Sequence, residues 1–360
     1  MCVRSICPCD LSGAPDEATS DGEATAHTLR ESEIAVKTIL RFVMWVLIGA
    51  VALAGIVAAL AGYLLYTPNP EHPRLSGTVA AGSMVINGRT RTYQAYVPKG
   101  LAPGAALVLV MHGSGENATA IRIETGYAFE RLADARGFAV VYPNGQNGHW
   151  NTCEIDRDAQ APGVDDVGFL TALADKFIGE AGTDRNRVFA VGLSEGGYMA
   201  IRLALEAPRF RALASVEANL PVPEDFQCKP VTQGAASIIL IHGTKDRLVP
   251  FQGGEGSLIL GLFKNPKVLS SHATAQYFAD LDAIAGPPVT TRSMSADGFG
   301  IERSVWSNGA GAEVELFAID GAGHTFPQPY YRARRILGPS PRDPNAAEVI
   351  WAFFERQRPR

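Results

Sequence analysis

The chain has 360 residues, 46% hydrophobic and 19% charged, with a formal net charge of −5. That length can bury one large core or two small ones, and the composition is that of a globular protein. There is no basic surplus to favour nucleic acid and no long run of one charge to form an interaction tail.

Residues 1–38 are mostly small, polar and acidic, and are expected to be disordered. Cys2, Cys7 and Cys9 fall here, but Cys7-Pro8-Cys9 has too short a gap, and no second pair, for a zinc site. Residues 42–66, FVMWVLIGAVALAGIVAALAGYLLY, carry no charge and no polar face. As a helix this run is roughly 37 Å long, enough to cross a bilayer core with some tilt. A transmembrane anchor is expected over 39–66. The rival is a cleaved signal peptide, disfavoured because the apolar run is long and about forty residues precede it. Arg30, Lys37 and Arg41 lie before the run, so the N-terminal side should stay cytoplasmic and the body should be extracytoplasmic. With a cleaved leader the body would be periplasmic or secreted. The Pro-rich stretch after the run makes 67–79 a stiff linker to a catalytic domain over 80–360.

In the body, apolar runs alternate with helical patterns, which points to an α/β sheet covered by helices. Strands are expected at Gly82–Ile86 and Thr92–Val97, joined through Asn87-Gly88 as a hairpin. Six more are expected at Ala106–Met111, Ala139–Tyr142, Val188–Gly192, Leu213–Val216, Ser237–Ile241 and Glu313–Ile319. Helices are expected at Glu124–Arg136, Asp166–Ala181, Glu195–Glu206, His272–Ala285 and Asn345–Gln357. Runs such as LVLVMHG and IILIHG lack alternation, as in parallel strands buried on both faces. Residues 251–270 read as a Gly-rich loop, either a lid or substrate wall or a surface loop. Cys153 and Cys228 are either a disulfide pair, if the body is exported, or two unpaired thiols.

At residues 188–197, VFAVGLSEGG, a strand pattern ends in G-x-S-x-G and a helical pattern follows. Such a serine sits on a tight strand-to-helix turn, with the helix N-terminus favouring developing negative charge. Ser194 is therefore the candidate nucleophile, and it needs a base. His324, in DGAGHTFP after the last strand, comes late enough in the chain for the order nucleophile, acid, base. Asp246, in the loop after IILIHG, is the candidate acid, with Asp320 as competitor. An oxyanion hole would take one amide from Glu195 and one from the HGSG loop, at Ser114 or else Gly113. This pattern predicts an α/β-hydrolase fold: a mostly parallel sheet of about eight strands flanked by helices, preceded by one transmembrane helix.

Five segments in order resemble the polyhydroxybutyrate depolymerase and feruloyl esterase-like branch of α/β-hydrolases. They are MHGSGEN (111–117), VVYPNG (140–145), DDVGFL (165–170), VFAVGLSEGGYMA (188–200) with HGTKDRLVPF (242–251), and GAGHTFP (321–327). The resemblance covers roughly 80–355. It implies extracytoplasmic hydrolysis of small or polymeric carboxylic esters with no metal or organic cofactor. It also implies that Asp165 and Asp166 act structurally near the site by capping the following helix. Three positions depart from the family pattern: Ser114 stands where Cys is frequent, Glu195 where Ala is usual, and Phe326 where the family has Trp. Glu195 either repels anionic substrates or points to solvent. His112, Trp150 and Phe326 are candidate substrate-binding residues, the alternative for Trp150 being a packed loop position. The expected activity is two-step ester hydrolysis through an acyl-enzyme. Its rivals are a serine peptidase of the same fold and an idle membrane-anchored binding protein.

Overall fold

The structure, a computed structural model, describes residues 20–154, 163–227, 236–258, 261, 263–309 and 311–357. The chain divides into two compact units, Met1–Tyr63 and Leu64–Arg360.

The first unit is built on one helix, α1 (Ser20–Leu65), whose described side chains are almost all exposed. Its apolar part is long enough to cross a membrane by length and composition. The helix starts well before the apolar run, so residues 20–38, expected to be disordered, are helical. Polar pairs one turn apart accompany this extension: His27 with Glu31 at 3.4 Å and Glu33 with Lys37 at 3.5 Å. Residues 1–19, with Cys2, Cys7 and Cys9, lie outside the described residues.

The second unit begins at Leu64, sixteen residues before the expected start at 80. The segment after α1 is bound to the body: Thr67 Oγ1 donates to Arg332 O at 2.7 Å, and the Ser76 N–H donates to Asp134 at 2.8 Å. Its strands are β1 (Thr78–Ile86), β2 (Arg89–Val97), β3 (Ala106–Met111), β4 (Phe138–Pro143), β5 (Val188–Leu193) and β6 (Ala212–Val216). They continue with β7 (Ser237–Gly243), β8 (Gly254–Leu258), β9 (Phe263–Val268), β10 (Val289–Met294), β11 (Gly300–Ser307) and β12 (Glu313–Asp320). Ten of them form one sheet in the order β1-β2-β4-β3-β5-β6-β7-β12-β11-β10, parallel from β4 to β12 and antiparallel at both margins.

All eight expected strands are present, and the sheet exceeds the expected number by β10 and β11. β10, VTTRSM, is exposed along its whole length, so it carries no apolar periodicity. The expected loop at 251–270 contains the β8–β9 hairpin.

The helices of this unit are α2 (Ala118–Glu124), α3 (Ala128–Arg136), α4 (Asp166–Glu180), α5 (Glu195–Glu206), α6 (Ser271–Leu281) and α7 (Ala346–Arg356). The helix expected over Glu124–Arg136 is interrupted where Gly126 and Tyr127 take positive φ, at 63° and 55°. Every residue of β3, β4 and β5 is buried, which accounts for their unbroken apolar runs. Alternate side chains serve opposite faces. Leu107 and Leu109 join Phe169, Met199 and Phe278 in one core cluster, and Val108 and Val110 join Phe129, Trp351 and Phe354 in the other. Each such large apolar side chain contributes about 1.5–3 kcal/mol by leaving water. The parallel strands are thereby held rigid, and the loops after their carboxyl ends are left to carry the site.

Candidate active site

Ser194 lies between β5 and α5 with φ 56° and ψ −117°, a conformation that side-chain-bearing residues rarely adopt. Its N–H donates to Val216 O at 2.9 Å and its carbonyl accepts from the Tyr198 N–H at 3.0 Å, which ties the turn to β6 and to α5. The flanking glycines are steric requirements. A Cβ on Gly192 would lie 1.9 Å from Gly196 O, and one on Gly196 would lie 2.4 Å from Met111 O. The G-x-S-x-G spacing therefore exists because strand, turn and helix touch backbone to backbone.

The loops after β7 and β12, neighbours in the sheet, bring Asp246 and His324 together. His324 Nδ1 is 2.7 Å from Asp246 Oδ2, and both residues are buried. Asp246 Oδ1 accepts the N–H groups of Leu248 at 2.7 Å and Val249 at 2.9 Å. Burial opposes the charge of Asp246, but His324 and His242 outweigh it and hold the carboxyl well below the ordinary range. Asp320, the competitor, is exposed and accepts from Thr244 Oγ1 at 2.8 Å. Ser194 and His324 line one cavity of about 1010 Å³, together with Gly113, Ser114 and Phe326.

Of the expected oxyanion donors, Glu195 N belongs to the first turn of α5, where amides lack an intrahelical acceptor. Ser114 is exposed at the cavity. The Gly113 N–H is committed elsewhere, donating to Glu116 Oε2 at 2.9 Å. Glu195 does not point to solvent. It is fully buried, and its Oε2 lies 3.2 Å from His149 Nδ1, an atom that is also 3.3 Å from Ser114 Oγ. His149 thus links two of the three positions where this chain departs from the resembled pattern.

Two expected substrate contacts are core residues. Trp150 is fully buried and donates its indole N–H to His112 O at 2.9 Å. His112 is also fully buried: its Nε2 accepts from the Gly145 N–H at 2.9 Å and its Nδ1 faces Gly113 O at 2.7 Å. Burial pulls its pKa down to about 4, so the ring is neutral. For Trp150 this burial is the packed alternative, whereas nothing in the stretch marked His112 as turned inward. Phe326 does reach the cavity and packs on Phe129, ring centroids 5.8 Å apart. Asp165 caps α4 by accepting from the Gly168 N–H at 2.7 Å. Asp166 is buried, pairs with Arg91 at 2.5 Å and accepts from the Asn151 N–H at 2.7 Å, so it holds the Trp150 loop as well as the helix.

Cys153 is disulfide-bonded. Its expected partner Cys228 lies outside the described residues, but the Gln227 N–H donates to Cys153 O at 2.7 Å.

Sequence reasoning missed two acids, one buried and one half-buried. Glu217 follows β6, accepts from the Gly243 N–H at 3.1 Å and lies 3.4 Å from His242 Nε2, which is itself 3.4 Å from Asp246. Burial and then the Asp246 carboxylate push its carboxyl well above the usual range. Glu217, His242 and Asp246 lie close enough to hold an ion. His242 Nε2 also lies 2.8 Å from Val249 O, and Asp246 holds His324, so the three side chains are engaged with one another and with the backbone. The second acid, Glu124, lines the cavity beside Glu116, and burial followed by Glu116 raises it in the same way. Neither acid stands in a recognisable motif, and only the folded neighbours identify them.

Against this geometry, the model of the PHB depolymerase esterase family matches residues 91–225. A protein of Nocardia uniformis subsp. tsuyamanensis named "Putative esterase NocK" is 31% identical over 307 residues, covering 80% of this chain and 86% of its own. The chain belongs to this esterase family. Feruloyl esterase C of Emericella nidulans is 31% identical over 49% of this chain and 62% of its own length. The poly(3-hydroxybutyrate) depolymerase of Ralstonia pickettii is 31% identical over 47% of this chain and 37% of its own. Among solved structures, the acetyl xylan esterase from Aspergillus awamori superposes with TM-score 0.52 at 16% identity, over 76% of this chain and 99% of its own. That likeness concerns the fold, which is the α/β-hydrolase fold. The family makes this protein a carboxylic ester hydrolase.

Proposed function

We propose that the esterase works through Ser194, His324 and Asp246 by way of an acyl-enzyme. The observation that carries the reading is the His324–Asp246 contact of 2.7 Å, with His324 and Ser194 lining the same cavity. His324 takes the Ser194 proton as Oγ attacks the ester carbonyl, and Asp246 stabilises the imidazolium so formed. The amides of Glu195 and Ser114 receive the oxyanion at the start of α5, where the helix dipole adds to their effect. The alcohol leaves with the proton from His324, which then activates water to release the acid. Cys228 is the proposed disulfide partner of Cys153, and α1 is proposed to anchor the body on the extracytoplasmic side of a membrane.

The substrate is proposed to be a carboxylic ester, and the acyl groups in the names of the relatives, feruloyl, acetyl and hydroxybutyrate, are the first to try. Initial rates on p-nitrophenyl butyrate and methyl ferulate, with Ser194→Ala beside the wild type, test this. The expected result is cleavage of at least one ester and a loss of roughly 10⁴-fold or more in kcat for the variant. A Ser194→Ala protein as active as wild type would remove the assignment.

A further inference from the structure

The apolar run at 42–66 and the active-site cavity meet at one residue. α1 ends at Leu65, and Leu65 lines the cavity that holds Ser194 and His324. Leu65 belongs to the second unit, so this placement does not depend on the direction of the rest of α1. Two residues on, Thr67 is hydrogen-bonded to Arg332, and residues 66–71 run beside 329–342. The chain from Leu65 to Glu71 therefore lies on the body, beside the cavity and the 329–342 segment.

A helix that spans a bilayer puts the end of its apolar run at the headgroup level, and Tyr63 and Tyr66 are the aromatic residues usual at that depth. Leu65 then stands at the boundary between acyl chains and headgroups, and with it the part of the cavity wall that it forms. Its wall carries further apolar side chains, Leu248, Leu258, Phe326, Ile336 and Leu337. Beside it, Arg332, Arg334, Arg335 and Arg342 are exposed on the segment that Thr67 binds. Such a cluster is drawn to anionic headgroups when it lies within a Debye length of them.

We infer that this esterase takes its substrate from the bilayer surface: an ester with a long apolar chain, drawn laterally into the Ser194 cavity past Leu65. The inference rests on the proposed anchor and the proposed nucleophile. It adds to them a substrate class, and a reason for the short connection between helix and body. An ester dissolved in water gains nothing from this placement. An ester confined to the membrane gains a high effective concentration at the cavity mouth.

The test uses the full chain in vesicles of equal parts phosphatidylcholine and phosphatidylglycerol. p-Nitrophenyl acetate is the dissolved ester and p-nitrophenyl palmitate the bilayer ester. A Gly/Ser insertion of about 20 residues between Tyr63 and Leu64 frees the body to move roughly 25 Å while leaving Leu65 on its wall. The expected result is an unchanged acetate rate and a palmitate rate lowered at least about tenfold. Equal palmitate rates for both chains would overturn the inference. Release of the wild-type chain by alkaline carbonate would overturn the anchor instead, and failure to cleave acetate would overturn the hydrolase mechanism. A readout free of catalysis is bimane on Leu65→Cys: quenching by lipids brominated near the headgroup supports the placement, and no quenching contradicts it.

Discussion

His149 gives the site a feature that neither Ser114 nor Glu195 would provide alone. With its Nδ1 3.2 Å from Glu195 and 3.3 Å from Ser114, it couples the two residues whose amides are proposed to hold the oxyanion. Truncating either should loosen the same contact, so the losses should not add. In the cycle Ser114→Ala, Glu195→Ala and the double variant, the coupling read from kcat/KM should be about 0.5–3 kcal/mol. Additive losses would mean that His149 is a bystander. Glu217 makes a second residue-scale prediction. Its carboxyl is raised by burial and by Asp246, and it faces His242 and the loop that carries His324. Below the unfolded carboxyl range of about 4.3 both states hold this proton. As pH climbs from there towards the raised folded value, the native state keeps the proton and the unfolded state loses it, so this group withdraws stability. Gln cannot titrate, so the stability of Glu217→Gln relative to wild type should improve from pH 5 to pH 8. A thermal-melt difference that stays flat across that range would show that Glu217 ionises like an exposed acid. That Ser194 and His324 line one cavity and that Asp246 meets His324 was legible in the sequence, because motif, chain order and strand ends all mark them. Glu217, Glu124 and the inward turn of His112 were not, because long-range packing alone decides them.

At the scale of elements, the turn between β5 and α5 is the most constrained piece of the chain. The backbone contacts that forbid a side chain at Gly192 are to Gly196 O and C, at 1.9 and 2.0 Å. Backbone cannot swing aside as a flexible side chain can. Gly192→Ala should therefore cost about 3 kcal/mol or more in unfolding free energy and displace Ser194. A stable Gly192→Ala protein with full esterase activity would contradict the steric reading of the motif. The central strands were readable because burial on both faces leaves unbroken apolar runs, as in β3 and β7. β10 and β11 were not, because a margin strand such as VTTRSM keeps polar side chains in water. The break between α2 and α3 hid behind helix-compatible residues, since the residue with φ 55° is a tyrosine and not a second glycine.

For the whole molecule, the sheet order accounts for how residues far apart in the chain meet. β5, β6, β7 and β12 are consecutive neighbours, and the loops after them supply Ser194, Glu217, Asp246 and His324 in turn. Within the same unit, residues 66–71 lie beside 329–342, and Leu65 lines the cavity of Ser194. The central claim is that Ser194 is the nucleophile of this assembly. Labelling the full chain with a p-nitrophenyl alkylphosphonate, followed by peptide mass mapping, tests it most directly. The account predicts one adduct, on the peptide carrying Ser194, formed in step with loss of ester hydrolysis and absent from both Ser194→Ala and His324→Ala. An adduct on another residue, or ester hydrolysis that survives full labelling of Ser194, would contradict it.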